Sequence, residues 1–82
     1  MLNVLIAESE ELELGGYEVI GVVGSESEAM ELAAEDMARR ERALGADEDP
    51  GICPHVYKMY ERGMNGYVEV LELSAMDVTA CN

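Results

Sequence analysis

The chain has 82 residues, 49% of them apolar, and carries 18 acidic against five basic side chains, a formal charge of −13. That length holds one domain, 1–82, whose core rarely supplies more than about 3–5 kcal/mol net, and the apolar fraction is too high for a disordered acidic tail. The charge argues against direct binding to nucleic acid or anionic membranes and favours basic protein surfaces.

Two cysteines, Cys53 and Cys81, allow one disulfide but no disulfide framework. No apolar run is long enough to span a membrane, and the start "MLNVLIAESE" lacks the basic region of a signal peptide. These features predict a cytoplasmic protein with free thiols. Self-repulsion among the carboxylates predicts that added salt stabilises it.

In chain order, "LNVLIAESEELELGGYEVIGVV" predicts two extended segments joined at Gly15-Gly16, a pair suited to the positive φ angles of a tight hairpin. A two-residue loop there sets Leu14 opposite Tyr17 and Glu13 opposite Glu18, giving one apolar and one acidic face. Leu2, Val4 and Ile6 share parity with Leu12 and Leu14, but Glu8 and Glu10 interrupt that face. A bulge near Ser9 is expected, because a straight strand would bury both acids.

Ser25 followed by Glu28 fits a capping box and starts a helix at Glu26, with Gly45 as its stop. On a helical wheel Met30, Ala33, Met37 and Leu44 form the packing face, flanked by Ala29 and Ala34. The outward stripe Glu28, Glu31, Glu35, Arg39 and Arg42 complements the helix dipole. Glu35 to Arg39 and Asp36 to Arg40 have the favourable i to i+4 order, so this stripe reads as a solvated face.

Residues 45–54 form an acidic Pro/Gly linker. "HVYKMYERG" predicts a short helix ended by Gly63, with Val56, Tyr57 and Tyr60 as its apolar face. "GYVEVLELS" predicts a central strand, since Val68, Val70, Leu71 and Leu73 put apolar groups on both faces. "AMDVTACN" is either a frayed tail or a last edge strand. The fold class is α+β: a small antiparallel sheet with one long helix on one face, in the order β-β-α-(short α)-β.

The helix acids are balanced by its arginines, so the surplus acid is Glu8, Glu10, Glu11, Glu13 and Glu18 in the hairpin and Asp47, Glu48 and Asp49 in the linker. None has a basic neighbour in sequence. Carboxylates two residues apart on a strand stand roughly 6.8 Å apart, comparable with neighbouring phosphates of a nucleic acid. These eight residues are the candidate partner-binding set, facing a basic protein or nucleoprotein complex.

Other chemistry is weaker. Cys53-Pro54-His55 falls short of the four ligands of a structural zinc site, and Cys53 is expected to pack as a small apolar group. The linker lacks the ligand pattern of an EF-hand. No cofactor is implied, and no nucleophile, base and positioning group occur together, so an enzyme is not expected. Met59, Met64 and Met76 with Tyr57, Tyr60 and Tyr67 serve either as core or as an adaptable interface.

"GVVGSESEAMELAAEDM" followed by "GYVEVLELS" resembles small phage and mobile-element proteins in which a strand leads to a Ser-capped acidic helix and a late strand closes the sheet. The resemblance covers the middle helix and last strand and transfers no functional residue. It implies an inhibitor of a defence system, such as an anti-CRISPR or anti-restriction protein, acting in the cytoplasm of an infected host. Several such proteins are acidic DNA mimics.

The expectation is a non-enzymatic protein that blocks a basic, nucleic-acid-handling partner. The alternative is an interaction or oligomerisation module, a homodimer included, that uses Met and Tyr contacts or an edge strand formed by the first segment. Acidity would then serve only solubility or halophilic adaptation.

Overall fold

The computed structural model describes residues 3–9, 16–75 and 78. Four strands and one helix follow in the order β1 Asn3–Glu8, β2 Tyr17–Val23, α1 Glu26–Gly45, β3 Val56–Gly63 and β4 Gly66–Ser74. The strands form one antiparallel sheet in the order β2-β1-β3-β4, so the fold is α+β as expected. Because β1 runs antiparallel to both neighbours, β2 and β3 are parallel with β1 between them. Parallel strands need a crossover, and the 20-residue α1 supplies it.

The segment expected as a short helix is β3. Its side chains alternate: Tyr57 and Met59 are buried against the helix side while Lys58 and Tyr60 face the other way. β-branched and aromatic residues suit a strand that has a neighbour on each edge. Gly63 pairs with Gly66 across the two-residue loop Met64-Asn65, and Gly66 holds φ 118°, a conformation open to glycine. β4 is consequently an edge strand rather than a central one, with Val68 and Val70 exposed. β1 is internal, so the first segment offers no free edge.

The first hairpin also differs from expectation. Tyr17 pairs with Glu8 and Glu18 with Ala7, which excludes a register with Leu14 and Glu13 opposite them. The Ser9 amide donates to the Gly16 carbonyl at 2.6 Å. Among the described residues the register shift lies between Leu5 and Ile6, where Ile20 is the extra residue of β2; the stretch that follows Ser9 lies outside them. Parity is inverted: Leu5 and Ala7 are buried under the helix, while Tyr17 and Val19 are exposed on the opposite face and Glu18 points to the helix side.

α1 starts as expected. The Ser25 hydroxyl accepts from the Glu28 amide at 3.2 Å, and the Glu28 carboxylate reaches back to the Gly24 amide at 2.8 Å. Its buried stripe is Ala29, Ala33, Asp36 and Arg40, and Met30 and Leu44 of the expected packing face are exposed. The small alanines let the helix lie close to the sheet: a Cβ on Gly21 would stand 3.0 Å from Leu32 Cδ2. Leu5, Ala7, Val23, Ala29, Ala33, Tyr57, Met59 and Val78 form the core.

Candidate acidic interaction surface

A charged network sits where the wheel placed apolar groups. Arg40 Nε donates to Asp36 Oδ2 at 2.7 Å, and the side chains are only 4% and 5% exposed. Tyr57 on β3 donates its hydroxyl to the same Oδ2 at 2.8 Å, and Arg39 Nη2 donates to Oδ1 at 2.7 Å. The other end of Arg40 donates to Glu18 Oε2 at 2.7 Å and to the carbonyls of Pro50 and Ile52 at 2.8 and 3.0 Å. Helix, β2 and linker thus converge on one guanidinium, whose planar fork suits several acceptors, and β3 joins them through Asp36.

The network sets the ionisation of its members. Burial works against the charged form of Asp36, but hydrogen bonds from Arg40, Arg39 and Tyr57 outweigh it and hold the carboxyl below its ordinary value. Burial likewise opposes the Arg40 charge, and the bonds to Asp36 and Glu18 overcome it. Burial and the Asp36 carboxylate together push the Tyr57 phenol up.

Two of the eight expected site residues therefore have basic neighbours in space. Glu18 is bonded to Arg40, and Glu8 to Lys58 at 2.9 Å, with Glu69 on the same ammonium at 3.3 Å. Bonds to Glu8 and Glu69 hold Lys58 above its ordinary value. Glu10, Glu11 and Glu13 lie outside the described residues, as does Cys81. Asp47, Glu48 and Asp49 are exposed, and Asp49 accepts the Gly51 amide at 2.9 Å. Cys53 is exposed rather than packed.

Sequence reasoning missed the placement of Asp47. The helix ends in a left-handed turn in which the Glu48 amide donates to the Ala43 carbonyl at 2.8 Å and the Asp47 amide to Leu44 at 3.2 Å. Asp47 occupies the position usually held by glycine, with φ 60°. Asp47 and Glu48 also stand at the negative end of the helix dipole, where a carboxylate is disfavoured by about 0.3–1 kcal/mol. Both placements are locally unfavourable.

Further acid lines α1. Glu28, Glu31 and Glu35 border one groove of about 210 Å³ beside Val22 and Val23, and none of the three forms an ion pair among the described residues. Beyond them Arg39 and Arg42 share a neighbouring groove of about 290 Å³ with Glu35 and Asp36. The acid of the helix layer is therefore a row at its N-terminal half and a second cluster past its C-terminus.

Among the described residues no group of three His, Cys, Asp or Glu side chains is arranged to hold a metal ion, and no helix is long and apolar enough to cross a membrane. Comparison with protein-family profiles, curated proteins and solved structures matches none of them to this chain.

Proposed function

We propose that this chain is a non-enzymatic binding protein that occupies a basic, nucleic-acid-handling protein and blocks it by presenting carboxylates in place of phosphates. The observation that supports this reading is Asp47, an acid in a left-handed backbone conformation at the wrong end of a helix dipole. Departures from local preference concentrate at sites kept for function. Glu48 and Asp49 extend that cluster, and the row Glu28, Glu31 and Glu35 adds to the same layer.

Glu8 and Glu18 leave the binding set, because their charges are spent on Lys58 and Arg40. Glu10, Glu11 and Glu13 stay in it on sequence grounds. A surface that binds nucleic acid is basic by construction, and each Lys or Arg engaged there by a carboxylate releases counterions as a phosphate would. The inhibitor class named by the sequence resemblance, acting in a host cytoplasm, fits this chemistry.

The test is capture on the immobilised chain from a panel of purified nucleic-acid-binding complexes, followed by challenge with duplex DNA. Capture of a basic complex that DNA displaces supports the reading. Capture that DNA leaves untouched, or none across the panel, overturns it.

A further inference from the structure

The side of the sheet away from α1 exposes several large apolar side chains among the described residues. Tyr17, Val19, Val22 and Tyr67 stand on it with 62%, 64%, 61% and 58% of their surface exposed. Between the hairpins, Val4, Ile6, Tyr60 and Tyr67 line an apolar groove of about 200 Å³. An antiparallel sheet with one free face ordinarily turns polar residues to water, and this one sets exposed valines and tyrosines beside its charged side chains.

Charge distribution identifies the occupant. On this face the described residues set Lys58 and Arg62 against Glu8, Glu69 and Glu72, as the cross-strand register requires. Lys58 already neutralises two of those acids. A chain of charge −13 has thus kept one face almost balanced. A basic partner would gain little by charge there, whereas a second copy meets little repulsion.

We infer that this face pairs with the same face of a second copy, giving a four-layer dimer with the sheets inside and both α1 helices outside. Face-to-face sheets pack about 10 Å apart, with the helices about 10 Å further out on each side. The acidic layers then lie roughly 30 Å apart, several Debye lengths at physiological salt. Four strands about 4.8 Å apart and about seven residues long span of the order of 450 Å² in plan. Standing tyrosines raise the accessible area toward the roughly 800 Å² per partner of a stable interface. The inference is independent of the acidic-surface reading, since it uses the opposite side of the molecule.

Sedimentation velocity over a dilution series of the full chain tests it, with Val19→Lys and Tyr67→Lys as variants and circular dichroism to verify folding. The expected species has twice the 8.9 kDa chain mass, associates more strongly as salt rises, and dissociates about 30-fold or more readily in either variant. Val68→Lys, exposed on the helix side of β4 opposite Glu61, should leave the dimer intact. A monomer at every concentration and salt, or a dimer indifferent to both face substitutions, would overturn the inference.

Discussion

Asp36 and Arg40 form a buried ion pair on the inner face of α1, joined at 2.7 Å and flanked by Tyr57, Glu18 and the carbonyls of Pro50 and Ile52. Removing Arg40 leaves the buried Asp36 carboxylate with only the Tyr57 hydroxyl and the half-exposed Arg39, a loss of its best-sheltered partner. Arg40→Met should destabilise the chain by about 3–5 kcal/mol. The double variant Arg40→Met/Asp36→Leu, which removes both charges, should be more stable than Arg40→Met alone. Urea unfolding of wild type, both single variants and the double variant measures this; additive losses would show that the pair is not coupled.

The same network predicts the acid limb of stability. Asp36 titrates below its unfolded value, so its contribution is complete above about pH 3.9 and is lost as pH falls through the lower folded value. Tyr57→Phe removes one of the bonds that hold the carboxylate charged and should cost about 1.5–3 kcal/mol at neutral pH. The difference between wild type and variant should shrink in acid. Thermal melts from neutral pH to below pH 4 follow it, and a difference constant across that range would contradict the assignment.

Gly51 admits no side chain. Its φ is 81°, and a Cβ there would lie 2.6 Å from Glu18 Oε1 and 2.9 Å from Arg40 Nη1. Gly51→Ala should therefore destabilise by about 1–3 kcal/mol. Gly45→Ala, with open space around it, should be neutral or stabilising by about 1 kcal/mol through helix propensity. Equal melting temperatures for the two variants would count against the linker packing on Arg40.

What the sequence showed depended on how local each signal was. Ser25, Glu28 and Gly45 act within a turn or two, and α1 begins and ends where they place it. β3 was missed although Asn65-Gly66 is a hairpin signal and Tyr57 and Met59 alternate with Lys58 and Tyr60, because "VYKMYERG" also carries an apolar helical stripe. The candidate site was less legible. A wheel ranked by hydropathy turns Asp36 and Arg40 outward, since their shelter comes from Tyr57, Glu18 and Pro50, far away in sequence. Glu8 and Glu18 looked unpaired for the same reason: Lys58 and Arg40 reach them only across the folded sheet.

Asp47 offers a separate stability test. Asp47→Gly places the residue best suited to a left-handed conformation at φ 60° and removes a carboxylate from the negative end of α1. It should stabilise the chain by about 0.3–1 kcal/mol. A melting temperature at or below that of the wild type would show that Asp47 carries no local penalty.

The most direct test of the acidic-surface account is the salt dependence of affinity for a captured basic complex, measured for the wild type and for Asp47→Gly/Glu48→Gln. The account predicts a steep linear fall of log K with log salt. In the stabilised double variant the slope should be shallower by about one to two units, with weaker binding. An affinity independent of salt, or a double variant that binds like the wild type, would contradict it and leave the carboxylates as a solvated surface.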